Sequence, residues 1–422
     1  MSQEPSNRQL SCADDYDPNS LPVVEALKRI DTVVKPVTGY ERVALRAALG
    51  RVLAETLSSP IDVPAHTNSA VDGYAVRTAD LPQQEIRGLK VIGTALAGAP
   101  FQGTVALGTA VRIMTGAVLP EGADGVVMQE HVETEGDWVR LSSAIRAGQN
   151  IRLAGEDLSK GATVLAAGKQ LQPADLGVLA SLGIAELKVR RRLRVAYFST
   201  GDELRSIGEV LNAGDIYDSN RYTLYAMLTR LGVDLLDMGV VRDRREDLHQ
   251  ALVEAANNAD AIITSGGVSV GEADFVKDIL TALGEVNFWK IAMKPGRPLA
   301  FGRIKDAIFF GLPGNPVSVM VTFYYFVKPA LQRMMGQSDT GPIRIKVPCL
   351  QRLKKRPGRM EFQRGVLESQ ADGSLGVRAT GDQGSGILSS VSRANCFILL
   401  AEEKGNVEAG ELVDVQPFEG LM

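Results

Sequence analysis

At 422 residues, with 45% hydrophobic and 23% charged residues, the chain has the composition of a folded protein of several domains, at roughly 150 residues each. A formal net charge of −4 gives no support to nonspecific nucleic-acid binding, and no apolar run reaches the roughly 18 residues of a membrane span. Cys12, Cys349 and Cys396 form no CxxC pair and only three histidines are present, which argues against a disulfide framework, a structural zinc site or a histidine metal centre. With a polar, acidic N-terminus, these features predict a cytoplasmic protein that engages neither nucleic acid nor membrane.

Residues 1–20 are polar and carry Asp14, Asp15 and Asp17, which reads as a disordered tail. Helical periodicity follows over Val23–Ile30 and again over Val43–Leu57, where ALRAALGRVLAETL predicts an amphipathic helix stopped by Ser58-Ser59-Pro60. Residues 62–75, DVPAHTNSAVDGYA, form a loop rich in side-chain oxygens, with Asp72-Gly73 leading into Tyr74. From Gly88 to Arg152 the pattern changes to short β-like runs, Leu89–Ile92, Ala110–Met114, Gly125–Met128 and Trp138–Leu141, punctuated by turns such as Thr115-Gly116. A loop-and-helix style returns at Glu156-Asp157 and Leu171–Leu182. These switches predict a β-rich domain, residues 61–152, inserted into a first domain split between residues 21–60 and 153–192.

Leu193 opens a third domain, residues 193–337. Strands Arg194–Phe198, Asp234–Val240, Ala261–Thr264 and Ala307–Phe310 alternate with helices Tyr222–Leu231, Glu246–Ala256 and one from Phe275, predicting a mostly parallel, three-layer α/β sheet. Ligands of such folds bind outside the carboxyl ends of the strands. At those ends lie Thr200-Gly201-Asp202-Glu203, Asp243, the turn Ser265-Gly266-Gly267 followed by Glu272 and Asp274, and the turn Pro313-Gly314-Asn315-Pro316-Val317-Ser318. Lys290 to Pro298, KIAMKPGRP, adds a cationic loop. Glycine turns between strand and helix offer backbone N–H groups to an anion, and carboxylates are hard ligands for a divalent cation beside phosphate. Two such turns, the cationic loop and the carboxylates, within about sixty residues, predict a metal-assisted phosphate or oxyanion site. Taken singly, each has a plainer reading as an unliganded turn, a helix cap or a solvated charge. His66, His131 and His249 read as structural or exposed. After a linker at 338–341, short strands Ile343–Val347, Met360–Val366, Gly376–Ala379, Cys396–Leu400 and Leu412–Val415 predict a small barrel or sandwich, residues 341–422. Arg359, Arg364, Gln383 and Ser385 are its polar candidates for reaching a site.

The motifs NSAVDGYAV, RIMTGAVLPEGAD, AGEDL, FSTGDEL, IYDSNRYTL, TSGGVSVGEAD, KPGRP, GLPGNPVS and PGRMEFQRG occur in this order. Through them the chain, from about Leu21 to its C-terminus, resembles the bacterial molybdopterin molybdenumtransferases, relatives of the C-terminal domain of gephyrin. The resemblance implies a homodimer of elongated four-domain subunits with a central pterin-binding α/β domain and a C-terminal small β-barrel. It implies Mg2+-dependent insertion of molybdate into adenylylated molybdopterin, giving molybdenum cofactor and AMP. A molybdopterin adenylyltransferase is the implied supplier of substrate, and molybdoenzyme chaperones are implied partners. By position, Asp72, Thr115, Asp157, Glu203, Asp243 and Asp274 match family residues linked to activity, with Asp274 and Asp243 or Glu203 as implied Mg2+ ligands. Ser269, Lys290, Lys294, Arg297, Pro313, Pro316, Ser318, Arg364 and Ser385 match groups around molybdate and the pterin phosphate. Ammonium, guanidinium and hydroxyl donors suit a tetrahedral dianion.

In a long subunit the first-domain loop lies far from the central domain, so the resemblance also implies that Asp72 serves the partner's site. Three departures stand out. His66 and Thr67 replace an aromatic-Asp pair, Val71 replaces a methionine, and Arg297 replaces a lysine, keeping the charge but changing the donor geometry. A free-standing adenylylating enzyme would need only the central fold, and a pure scaffold would have no use for the acidic and basic site residues.

Overall fold

The computed structural model describes residues 17, 19–81, 87–141, 145–267, 274–338 and 341–418, so the tail expectation for residues 1–16 and 18 lies outside the described residues. The chain divides into two compact units, one built from residues up to Glu41, Gly50–Val52 and Arg190 onward, the other from Arg42–Leu49 and Leu53–Val189. No described helix is long and apolar enough to cross a membrane.

In the first unit a six-stranded sheet comprises β1 (Arg194–Thr200), β2 (Asp234–Val241), β3 (Ala261–Ser265), β4 (Gly284–Lys290), β5 (Pro298–Ile304) and β6 (Ala307–Leu312), in the order β2-β1-β3-β6-β5-β4. The first four in that order run parallel, and β5 is antiparallel to both β6 and β4. Helices α1 (Val23–Val33), α2 (Ser219–Leu231), α3 (Arg245–Asn258), α4 (Asp274–Leu283), α5 (Pro316–Thr322) and α6 (Lys328–Met334) cover it, with a π-helical turn, Phe323–Val327, joining α5 to α6.

Alternation along the strands explains the three layers. Val195, Tyr197, Ile263 and Phe310 pack with α1, α2, α5 and α6, while Ala196, Phe198, Ile262 and Phe309 pack with α3 and α4. Burying each such large side chain contributes roughly 1.5–3 kcal/mol.

Val23, Ala26 and Ile30 of α1 join the core of the central sheet. One sequence expectation fails: residues 43–57 do not form a helix. They make the end of strand Tyr40–Ala44, a 3-10 turn Leu45–Ala47, a left-handed turn at Gly50 (φ +73°) and the strand Leu57–Ser58. Their backbone donors find tertiary partners instead of carbonyls four residues back: Leu45 N donates to Ala185 O, Leu53 N to Lys169 O and Ala54 N to Lys188 O. The apolar spacing that suggested a helix instead buries Ala48 and Leu53 among Leu165, Leu171, Leu179 and Val189.

The second unit contains the expected β-rich module, a six-stranded sheet in the order Gly125–Met128, Gly73–Val76, Thr109–Ile113, Arg87–Ala95, Trp138–Leu141, Val132–Glu135. Tyr74 and Val127 pack on one face, and Ala75 and Val126 on the other.

The C-terminal strands β7 (Ile345–Pro348), β8 (Met360–Ser369), β9 (Leu375–Ala379), β10 (Cys396–Leu400) and β11 (Leu412–Pro417) pair as β9-β8-β10-β11-β7. A parallel bridge between Cys349 and Val377 brings the end of β7 back to β9, closing the expected barrel. The barrel's outer aromatics dock on the joined helices: Tyr325 meets Phe362 edge-on at 4.7 Å, and Tyr324 stacks on Phe418 at 5.9 Å.

Candidate active site

The registers Ser199–Ser265 and Ser265–Leu312 align the carboxyl ends of β1, β3 and β6, so the turns that follow leave the sheet along one edge. Thr200 ends β1, and its hydroxyl donates to Asp243 just past β2; Asp243 N donates in turn to Asp202 Oδ1 at 3.3 Å. Gly266 and Gly267 have φ of +92° and +67°, and a Cβ on Gly266 would stand 2.4 Å from the Thr200 carbonyl oxygen. Only glycine admits that approach.

Asn220, in the first turn of α2, ties the edge together by donating to Ser265 Oγ at 2.8 Å and to the Gly314 carbonyl at 2.6 Å. Behind it Asp218, 1% exposed, caps α2 through Arg221 N at 3.1 Å and accepts from Ser199 Oγ at 3.0 Å. Sequence reasoning gave Asp218 and Asn220 no role. Their positions around a helix start signal capping, and nothing in the pattern says which strand ends they reach.

Glu203 and Asp243 are exposed at this edge, with the Glu203 carboxylate lying over Gly201. Asp274 opens α4 after β3; its side chain, like Ser269 and Glu272, lies outside the described residues. Among the described residues no three His, Cys, Asp or Glu side chains converge on a metal position. Mg2+ beside phosphate needs only one or two carboxylates, the rest of its shell being substrate oxygen and water. Glu203 and Asp243 fit that smaller requirement.

The β4–β5 hairpin, with Lys290 opposite Pro298, carries the cationic loop to the same edge, since β4 runs parallel to β6. Met293–Lys294 pairs in parallel with Met360–Glu361 of β8, and a Cβ on Gly296 would meet Thr322 Oγ1 of α5 at 2.7 Å. Lys294 and Pro295 line a cavity of about 290 Å³ together with Gln351, Glu361, Arg364 and Gln383. The Arg364 guanidinium is committed to the adjacent barrel loop: Nε donates to Ser390 Oγ at 3.0 Å and Nη2 to the Gly384 carbonyl at 3.0 Å. Burial pushes its pKa down to about 10. The Ser385 carbonyl accepts from Val317 N at 3.1 Å, docking that loop on the start of α5 beside the buried Ser318. Pro316 is the first residue of α5, and the Pro313 carbonyl stands 3.5 Å from Ser265 Oγ. Lys290 and Arg297 share Asp17: Arg297 Nη2 donates to Asp17 Oδ2 at 3.1 Å, and Lys290 Nζ stands 3.7 Å from it. Reading the tail as disordered hid that partner.

Asp72, Thr115 and Asp157 belong to the second unit. Gly73 opens its strand against the Val127 carbonyl, which a Cβ would meet at 2.0 Å, and Thr115 follows the strand Thr109–Ile113. Thr115 N and Oγ1 each donate to Asp72 Oδ1 at 2.7 Å, holding the Asp72 carboxyl below its usual range, with Arg112 adding a smaller pull. Asp157 is exposed, its N–H donating to the Val63 carbonyl. Thr67 uses its hydroxyl to accept from Ala154 N at 3.3 Å.

The Asp72–Thr115 contact makes a prediction. Thr115→Val removes the hydroxyl donor and keeps the amide, so the Asp72 carboxyl should titrate at a higher pH, as read by carboxyl-carbon NMR. A folded pKa below the unfolded value of 3.8 contributes stability above that value, lost as pH falls through the folded pKa. Thr115→Val should therefore begin acid unfolding at a higher pH.

Fold and site together define a multidomain α/β protein whose parallel-strand edge carries the glycine turns and the cationic loop, with the barrel loop docked on the start of α5. Family models match in chain order: MoeA N-terminal region (domain I and II) over residues 21–183, probable molybdopterin binding domain over 196–333, and MoeA C-terminal region (domain IV) over 346–418. The chain is 48% identical over 387 residues to a molybdopterin molybdenumtransferase of Haemophilus influenzae, covering 91% of this chain and 95% of that one. It is 34% identical to a gephyrin of Dictyostelium discoideum, over 94% of this chain and 62% of that protein. The crystal structure of a molybdopterin biosynthesis moeA protein from Pyrococcus horikoshii OT3 matches with a TM-score of 0.84 and 31% identity, over 95% of this chain and all of that one. The chain belongs to the molybdopterin molybdenumtransferase family, and both the expected family and the expected α/β multidomain fold are borne out.

Proposed function

We propose that this protein is a molybdopterin molybdenumtransferase that inserts molybdate into adenylylated molybdopterin with Mg2+-dependent release of AMP. The observation that carries the reading is the meeting of the two glycine turns, the KPGRP loop and the barrel loop on one strand edge. Lys290, Lys294, Arg297, Ser318 and Ser385 are assigned to the oxyanion and the pterin phosphate, with Arg364 holding the Ser385 loop in place. Pro313 and Pro316 frame the turn that faces the phosphate, and Ser269 is assigned to the same ligand. Asp274, Asp243 and Glu203 would hold Mg2+, which, when bound, supplies positive charge against the pyrophosphate and the departing AMP. Asn220 keeps the Ser265 and Gly314 turns in register, so the backbone donors meet the phosphate without reorganising.

Asp72, Thr115 and Asp157 are assigned to the partner's site in a homodimer. Support for a second copy comes from the exposed apolar side chains of Ile207, Val210, Leu211, Ile216, Tyr222 and Tyr225. A cytoplasmic location, supply by a molybdopterin adenylyltransferase and delivery to molybdoenzyme chaperones complete the proposal.

The test is AMP release from adenylylated molybdopterin, with and without molybdate and Mg2+, for wild type, Asp243→Asn and Asp274→Asn. Release that requires both ions and is largely lost in the variants is the expected result. No release from folded wild-type protein would reject the activity. Release that survives in both variants would move the metal to Glu203.

A further inference from the structure

We propose that Asp17 is a built-in competitor for the oxyanion on the KPGRP loop and sets the concentration at which that loop fills. The inference rests on the assignment of Lys290 and Arg297 to the oxyanion. Both cations already face an anion supplied by the chain itself, Asp17 Oδ2, at 3.7 Å and 3.1 Å.

The carboxylate is delivered there by backbone as well as by charge. Leu21 N donates to the Lys290 carbonyl at 2.7 Å, and Ala292 N to the Leu21 carbonyl at 2.8 Å, so the segment ahead of α1 runs as a short parallel bridge beside the loop. Ser20 N donates to the Asp17 carbonyl at 3.0 Å, and Asn19 N to Asp17 Oδ1 at 3.0 Å. The Asn19 amide, then Lys290 and Arg297, hold the Asp17 carboxyl below its usual range, so it is charged under ordinary conditions.

The match is nevertheless incomplete. Oδ1 is turned to Asn19, so Asp17 offers the guanidinium one oxygen, and Arg297 Nε is buried with no hydrogen-bond partner among the described residues. A tetrahedral dianion carries oxygens for Nη2 and Nε together and twice the charge, so it is the better ligand for the fork. Asp17 therefore stands as a monodentate placeholder that the dianion must displace. Arg297, where the family pattern has lysine, is the residue whose fork makes the two ligands unequal.

The experiment is calorimetric titration of the full-length protein with sodium molybdate, paired with the molybdate dependence of AMP release. Asp17→Asn keeps the shape and the acceptor for Asn19 N and removes the charge; Asp17→Ala is the second variant. Both should bind molybdate more tightly by roughly two- to fivefold, the scale of a partly exposed ion pair, and half-saturating molybdate should fall by the same factor. The gain should shrink in high salt, where the competing charge is screened. Unchanged or weaker binding in both variants overturns the proposal. Lys290→Ala/Arg297→Ala separates it from the assignment beneath it. If that double variant binds molybdate as wild type does, the loop is not the oxyanion site and both readings fall. If it loses binding while Asp17→Asn is silent, the site stands and the competitor alone is rejected.

Discussion

Gly266→Ala should lower AMP release roughly 100-fold, because small displacements of the turn proposed to hold the phosphate misplace reacting groups. It should also destabilise the protein by about 2–5 kcal/mol, combining about 1–2 for a left-handed non-glycine residue with about 1–3 for overpacking. The methyl would stand 2.4 Å from the Thr200 carbonyl oxygen, a backbone atom with no rotamer to retreat into. Relief would require parting the ends of β1 and β3, and Gly266 N is already bonded to the Leu312 carbonyl at 3.1 Å. Gly232→Ala is the control. Gly232 has φ of +71° at the end of α2, but a Cβ there meets nothing within 4 Å. Its cost should be about 1 kcal/mol, with activity kept. Urea denaturation and the AMP assay measure both; equal behaviour of the two variants would show that close packing at the turn is not what matters.

Arg364→Leu is the second large effect. The side chain is 1% exposed, and leucine would leave Ser390 Oγ and the carbonyls of Gly384 and Asp382 without their donor. Each buried acceptor left unpaired costs about 1–3 kcal/mol, and the three together exceed what the apolar burial of leucine returns. The damage should be local as well as global. Hydrogen exchange should quicken in the loop from Gly381 to Gly386, and activity should fall because Ser385 loses its support. Arg364→Lys keeps the charge but lacks the fork and should fall between. A wild-type denaturation midpoint in Arg364→Leu would reject the anchoring role and return Arg364 to direct ligand binding.

Legibility in the sequence followed how local each signal is. Strand Ala261–Ser265, the glycine turn and the helix after it are contiguous, and the parallel order then carried Thr200, Asp243 and Ser265 to one edge. The barrel strands were readable from glycine spacing, although closure through Cys349 and Val377 was not, being one contact between distant segments. Residues 43–57 show the opposite case. Their helical apolar spacing is real, but Gly50 and backbone partners at Lys169, Ala185 and Lys188 decide the outcome. Arg364 was chosen as an anion ligand for its charge; its bonds to Ser390 and to the Gly384 carbonyl beside Ser385 join segments too far apart in sequence to be read from it. Asp17 was invisible because composition describes a segment's average and not the one residue that reaches a partner 280 positions away.

The ladder between Met293–Lys294 and Met360–Glu361 bears on how such proteins can be taken apart or recombined. A hairpin loop of the α/β fold is a strand of the barrel's sheet, and Phe362 and Phe397 of the barrel complete the core beneath α5 and α6. The barrel is thus no detachable appendage. A fragment ending before it would lose the partner of Lys294 and bare an aromatic face, and a barrel grafted from a distant relative would have to reproduce both the ladder and that face. Mechanically, these two modules are one piece.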